Sequence, residues 1–145
     1  MPDIGDISDI EIGYSVTSIA ASAFYECTKL NSAAIPNSVT AIGANAFENC
    51  TGLSSVDIPS SVTSLEERAF RGCPGLTTLT IGNGVASIGN SAFWGCTSLT
   101  NVTIPDSVAS IGSSVFYYCK ELTSVTIGNN VESIGEYAFY YCTSL

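Results

Sequence analysis

The sequence predicts a mostly β solenoid, in which short coils of chain stack into one continuous spiral. The first observation is a Phe-x-x-Cys-x-x-Leu block that occurs six times, each copy 23 residues after the last. The second is an alternation of apolar and polar residues before the blocks, which is typical of half-buried strands. A unit of this length buries its apolar side only by stacking on its neighbours. We therefore expect a single domain over residues 1–145.

Each coil is predicted to open with a strand. The alternating pattern of residues 99–104 returns at 53–58, 76–81 and 122–127. Residues 7–12 fit the same pattern in degenerate form, so the first coil begins at Ile7 and residues 1–6 form an N-terminal extension. A proline or glycine then ends the strand and turns the chain. A second apolar pair follows, and after it a glycine at a point that needs positive φ or a close backbone approach.

The Phe-x-x-Cys-x-x-Leu block is expected to form one short helical turn, because its apolar groups lie three residues apart and face inward together. A serine or asparagine lies two residues before the phenylalanine in several copies, as at Ser91. Such a residue is suited to cap the turn. The convex part of each coil is therefore predicted to contain a tight, short helix.

The six cysteines favour a buried structural column over a metal site or disulfides. Zinc ligands come in pairs two to four residues apart, whereas these cysteines are 23 apart. The sequence contains no histidine to complete a ligand set or activate a thiolate. A whole column of equivalent thiols cannot pair without breaking the equivalence of the coils. We predict no metal and no cofactor. The column comprises Cys27, Cys50, Cys73, Cys96, Cys119 and Cys142.

The charge composition excludes several classes of partner. The net charge is −9, with only four Lys and Arg residues. Binding to nucleic acid or anionic lipid relies on clustered cations, so neither is expected. No apolar run approaches the roughly 20 residues of a membrane span. The start of the chain has neither a basic region nor an apolar stretch, which predicts no signal peptide and leaves a cytoplasmic protein or a piece of a longer secreted chain.

The aligned coils resemble the BspA-like leucine-rich repeats. The resemblance is carried by Leu-Thr-Ser-Val-Thr-Ile at 122–127, Ile-Pro-Asp-Ser-Val-Ala-Ser-Ile-Gly at 104–112 and Ala-Phe-Trp-Gly-Cys-Thr-Ser-Leu at 92–99. It extends over about residues 7–145. It implies a leucine-rich-repeat solenoid of the α/β repeat class, mostly β, with six coils of 23 residues. A parallel sheet is expected on its concave face and short helical turns on its convex side.

The same resemblance implies a function without catalysis. Members of the family look like curved solenoids on bacterial or protist surfaces. They are associated with adhesion and with binding other proteins. The family has no catalytic residues to transfer, and the chain itself offers no histidine and no phosphate-binding loop. We therefore expect a protein-interaction or cell-surface adhesion module rather than an enzyme, with a protein or a glycan as its partner. A cell-surface or extracellular location is implied by the resemblance alone.

One candidate binding surface is the row of outward strand positions that lines the concave face in leucine-rich repeats. Its side chains are small and mostly neutral, without the aromatic or arginine anchors that dominate binding energy. Weak recognition, ordinary solvation and ice binding by threonine rows all remain open. The candidate residues are Asp9, Glu11, Ser55, Asp57, Thr78, Thr80, Asn101, Thr103, Ser124 and Thr126.

A second candidate is a patch of aromatic residues directly after the phenylalanines of the last three coils. Amphipathic aromatic rings in a row supply anchors for proteins or platforms for sugars. The alternative is that they only cover the convex edge of the core. The patch comprises Trp94, Tyr117, Tyr118, Tyr140 and Tyr141.

The two ends of the array are the third candidate. Repeat proteins need polar caps to stay soluble, and the C-terminal coil is expected to be uncapped. The chain is a fragment of a longer array, its last coil frays, or copies stack head to tail into a filament. The possible end-to-end interface comprises Ile7, Ile10, Ile12, Ile134, Phe139 and Leu145.

Overall fold

The computed structural model describes residues 6–145, so most of the predicted N-terminal extension lies outside the described residues. Over this range the chain winds into stacked coils, and every coil contributes two short strands. In chain order these are β1 (Asp9–Glu11), β2 (Ser18–Ile19), β3 (Ser32–Ala34), β4 (Ala41–Ile42), β5 (Ser55–Ile58), β6 (Ser64–Leu65), β7 (Thr78–Ile81), β8 (Ser87–Ile88), β9 (Asn101–Ile104), β10 (Ser110–Ile111), β11 (Ser124–Ile127) and β12 (Ser133–Ile134).

The odd-numbered strands form the predicted parallel sheet, which we call the first sheet. Their partners lie 23 residues apart, as in the pairing of Ser55 with Thr78 and of Val56 with Leu79. Along β9 the side chains of Val102 and Ile104 are buried while those between them are exposed. The alternation read from the sequence is therefore confirmed.

The even-numbered strands form a second sheet that the sequence pattern indicated only as an apolar pair. It runs through all six coils in the order β12-β10-β8-β6-β4-β2. Each strand is two residues long, and in the first five coils its apolar side chain is buried, as at Ile88. The glycine after the strand is needed for close approach: a Cβ at Gly89 would lie 2.7 Å from the carbonyl carbon of Glu66.

The convex segments contain turns in place of the expected short helices. The N–H of Tyr25 bonds within its own coil to the carbonyl of Ser22, at 3.2 Å, whereas that of Phe24 bonds to Ala46 of the next coil, at 2.8 Å. Ser91, expected as a cap, has a φ of 57°. Left-handed residues break a helix, because helical bonding needs consecutive right-handed conformations. The alternating bonds instead make a third connection between coils.

The core consists of columns of identical side chains. Rings of successive phenylalanines stack with centroids 5.1–5.5 Å apart, from Phe24 to Phe139. Phe47, Phe70 and Phe93 are fully buried. Burying one such ring contributes about 1.5–3 kcal/mol, and each ring excludes water only when both neighbouring coils are present. The predicted solenoid of equivalent coils is confirmed.

Candidate binding surfaces

The cysteine column is a ladder of thiol hydrogen bonds. Each thiol after the first donates to the carbonyl of the phenylalanine 26 residues earlier, in the preceding coil; Cys73 reaches Phe47 at 3.3 Å. The distances range from 3.1 to 3.5 Å. Burial raises the pKa of Cys50 and of Cys119 to about 12. A reactive cysteine needs a lowered pKa, so these groups serve structure. All six thiols are free.

No grouping of histidine, cysteine, aspartate and glutamate suited to a metal occurs within residues 6–145.

The structure gathers the predicted outward strand residues on one face. All ten are exposed, and neighbours in the row come from successive coils, as with Thr78 against Ser55 and Ser124 against Asn101. At the N-terminal end, the hydroxyl of Ser32 donates to the carboxylate of Asp9 at 2.9 Å. The row therefore presents polar groups along one face of the solenoid.

One feature of this face was not predicted from the sequence. Within residues 6–145 no hydrogen-bonded register joins β7 to β9, so the first sheet is divided into a four-stranded and a two-stranded part. We call this division the β7–β9 seam. A groove of about 530 Å³ lies beside it, lined by residues of β7, β9 and β11 and of the turns that follow them. Its polar lining includes Thr80, Asn101, Thr103, Asp106, Thr126 and Asn129.

The five predicted aromatic residues do form one cluster, and Tyr137 joins it. The rings of Trp94 and Tyr117 are parallel within 8° with centroids 5.9 Å apart. Tyr117 lies 5.4 Å from Tyr140, which meets Tyr141 edge-on at 4.8 Å. We call Trp94, Tyr117, Tyr118, Tyr137, Tyr140 and Tyr141 the aromatic cluster. Tyr140 is 49% exposed and Tyr141 51% exposed, so the rings are available to a partner.

Two cations that were not predicted from the sequence lie against the aromatic cluster. The Arg71 guanidinium lies 4.6 Å from the Trp94 ring, and the Lys120 ammonium 4.4 Å from the Tyr118 ring. Arg71 also donates to the buried Glu48 carboxylate at 2.7 Å. Arg71 precedes Trp94 by 23 residues, so the repeat alone places it beside that ring. Such contacts hold the indole in a fixed orientation.

The residues predicted for the ends lie in the first and last described coils. Ile7, Ile10 and Ile12 are partly buried against the core. Ile134 is 48% exposed and Leu145 56% exposed, whereas Ile111, one coil before Ile134, is buried. Phe139 is partly buried and stacks on Phe116, so among the predicted residues of the last coil only Ile134 and Leu145 are exposed.

The stacked parallel strands, the phenylalanine column and the convex turns define a leucine-rich-repeat solenoid, a fold that is a scaffold type without enzymatic activity. The model of the BspA type leucine rich repeat region matches residues 17–145 in six copies. The chain belongs to this family. Among curated proteins, none matches the chain.

Solved structures from several bacteria are similar to this one. A leucine-rich repeat protein from T. pallidum is 29% identical with a TM-score of 0.73, and the match covers 90% of this chain and 72% of that one. One from Eubacterium ventriosum is 23% identical with a TM-score of 0.83, covering 95% and 43% respectively.

A leucine rich cell surface protein from Faecalibacterium prausnitzii is 22% identical with a TM-score of 0.56, and the match covers 97% of this chain and 59% of that one. This chain therefore spans less than two thirds of the Eubacterium and Faecalibacterium proteins. In residues 6–145, no helix has the length and apolar character needed to cross a membrane.

Proposed function

We propose that this chain is a non-enzymatic module that binds a protein partner at a cell surface, and that the partner contacts the aromatic cluster. The observation that carries the proposal is the exposed group of rings on the last three coils. Trp, Tyr and Arg are the residues that most often dominate protein interfaces, and the cluster with the adjoining Arg71 brings all three together. The row of small side chains on the first sheet contains none of them.

The construction of the cluster also favours binding. Trp94 is held between Arg71 and Tyr117, so few conformations are lost when a partner covers it. Tyr140, Tyr141 and Tyr137 are 49%, 51% and 61% exposed and leave large apolar areas in water. Contiguous exposed apolar area on an otherwise polar surface marks interaction sites. Support for the surface location comes from the Faecalibacterium protein, which is described as a leucine rich cell surface protein.

The test is a binding screen against immobilised extracellular-matrix proteins with matched variants. We expect Tyr140→Ala to weaken binding about tenfold or more, since removal of an interface anchor costs about 2 kcal/mol. Its melting temperature should change little, because half of this side chain is exposed. Tyr14→Ala is the control, as Tyr14 is 84% exposed and lies in the first coil, outside the cluster. Unchanged binding by Tyr140→Ala, or equal losses of binding and melting temperature, would overturn the proposal.

A second candidate is a structural subunit that stacks head to tail. It is favoured by the outward exposure of Ile134 and Leu145, which a second copy's Ile7, Ile10 and Ile12 would cover in the manner of one more coil. Such a contact is heterologous and does not close, so it gives a filament. Sedimentation at rising concentration and high salt tests it. Growth in mass that Ile134→Glu abolishes supports the candidate, and a constant monomer mass removes it.

A further inference from the structure

In the first sheet, the number of positions at which neighbouring strands pair differs with the residue that comes directly after the strand. β7 is followed by Gly82 and pairs with β5 over four positions; β11 is followed by Gly128 and pairs with β9 over four. By contrast, β5 is followed by Pro59 and pairs with β3 at a single position. β9 is followed by Pro105 and has no register with β7. The two strands followed by glycine therefore pair over four positions, and the two followed directly by proline pair over one and none. β3 ends at Ala34, two residues before Pro36, and still pairs with β1 over three positions.

Two properties of the residues explain this difference. A Cβ at Gly82 would lie 2.6 Å from the carbonyl oxygen of Ile58, and one at Gly128 would lie 2.5 Å from that of Pro105. These coils sit so close to the preceding backbone that only glycine fits. Proline has a bulky ring at this point and no N–H with which to continue the ladder. Pro105 therefore removes one bond at the end of the β7–β9 seam, beside the groove.

The groove has a distinctive chemistry. Its polar lining consists of threonine hydroxyls and asparagine amides with a single carboxylate, that of Asp106, and it contains no lysine, arginine or aromatic residue. One wall is fixed, because Asp106 Oδ1 accepts a bond from the backbone N–H of Asn129 at 2.7 Å. Ile127, which is 39% exposed, supplies apolar contact beside the polar groups. A hydroxyl or an amide both donates and accepts, so the lining offers many neutral partners of either kind.

We propose that the β7–β9 seam binds an uncharged, hydroxyl-rich ligand of the saccharide class. A sugar presents closely spaced donors and acceptors together with apolar C–H faces, which matches this mixture of groups. A volume of about 530 Å³ is in the usual range for small-ligand sites. Phosphate and carboxylate ligands find no cation in the lining, and an apolar ligand would leave the amides and hydroxyls without partners. The site lies on the first sheet and is separate from the aromatic cluster, so it does not depend on the proposed protein partner.

The experiment is a titration of ¹⁵N-labelled protein with maltose, lactose and N,N′-diacetylchitobiose, with glucuronate as the charged comparison. We expect at least one neutral sugar to shift the amides of β7, β9 and the turns after them. Thr103→Val removes one lining hydroxyl at constant shape and should weaken binding about five- to tenfold. Thr78→Val makes the same change at an exposed strand position outside the lining and should leave binding unchanged.

Pro105→Gly tests whether the seam itself makes the site. By analogy with Gly82 and Gly128, this substitution allows β9 to approach β7 and should narrow the groove. Sugar binding should then weaken, although no outward polar side chain has been removed. The proposal is overturned if no neutral sugar shifts the seam amides, if glucuronate binds there more tightly, or if the shifts concentrate at Trp94 and Tyr117. It is also overturned if Thr103→Val and Thr78→Val reduce binding equally. The effect of Tyr140→Ala on protein binding has no bearing on sugar binding at the seam, so either proposal can be rejected without the other.

Discussion

The two sheets are built by the same six coils at the same spacing, yet only the second is continuous. In the second sheet the strand is followed by glycine in four coils, namely Gly43, Gly89, Gly112 and Gly135. In the first sheet it is followed directly by proline at two places, namely Pro59 and Pro105. Equivalence of the apolar columns therefore does not guarantee equivalence of the hydrogen bonding. Where glycine follows the strand, as at Gly82, Gly89 and Gly128, the coil approaches the preceding backbone too closely for a Cβ.

Glu66 shows which property of proline matters more. It occupies the glycine position of the second sheet, and its N–H still bonds to the preceding coil, at 3.3 Å to Ile42. The corresponding bonds from Gly43, Gly89, Gly112 and Gly135 are 2.8–2.9 Å. A side chain at this position thus stretches the ladder without breaking it. At Pro105 the corresponding bond cannot form at all, because proline has no N–H.

The largest expected effect is the loss of stability when an apolar side chain is removed, and it should differ between the two sheets of one coil. Ile88 in β8 is 2% exposed, whereas Leu79 in β7 is only partly buried beside the seam. We expect Ile88→Ala to lower the free energy of unfolding by about 2–5 kcal/mol and Leu79→Ala by clearly less, because less apolar area is lost from a partly hydrated site. Urea denaturation measures both. A loss for Leu79→Ala equal to that for Ile88→Ala would contradict the difference in packing.

The next effect concerns the close approach in the second sheet. A Cβ at Gly89 would meet backbone atoms of Leu65, Glu66 and Glu67 at 2.7–2.8 Å, and backbone cannot move aside as a flexible side chain does. Gly89→Ala should therefore lower stability by about 1–3 kcal/mol. Gly13→Ala is the matched control, since a Cβ there has nothing within 4 Å. Similar melting temperatures for the two variants would show that the close backbone approach at Gly89 does not exclude a side chain.

A smaller effect comes from the thiol column that supports both sheets. Burial raises the pKa of Cys119 to about 12 from an ordinary value of 9.0, so the folded state holds its proton more tightly than the unfolded state. This stabilisation is complete below pH 9 and is lost as the pH rises towards 12. Removing one such group should lessen the fall in stability between pH 8 and 10 by about 1 kcal/mol. The check is urea unfolding of the wild-type protein and Cys119→Ala at both pH values; parallel pH profiles would be evidence against a buried, protonated column.

The solenoid was predictable because its core depends on side-chain identity at a fixed spacing. The columns of Phe and Cys, the outward polar row and the stacking of Trp94 on Tyr117 all follow from position within the repeat. The convex turns did not follow, because their left-handed positions hold residues such as Ser91, Arg68 and Tyr118 rather than glycine alone. Residues other than glycine and asparagine rarely adopt that conformation, so the residue types at these positions did not predict left-handed turns.

The β7–β9 seam was missed for a different reason. Apolar alternation indicates where strands form, and β7 and β9 both show it. Whether neighbouring strands bond depends on donors and on backbone separation at Pro105 and Gly82, which alternation does not report. The strand-ending residues alone do not locate it either, since β3 and β5 pair with the preceding strands although Pro36 and Pro59 occur in their coils.

Native-state hydrogen exchange at equivalent amides tests the central claim most directly. In a paired coil the N–H of Thr78 points to the preceding strand, at 3.3 Å from the carbonyl of Ser54. By the repeat, the amides of Asn101 and Thr103 point across the seam. We predict that these two exchange at least about tenfold faster than the equivalent Thr78 and Thr80, and that Pro105→Gly slows them. Equal protection of the Asn101 and Thr103 amides in the wild-type protein would contradict the division of the first sheet by proline.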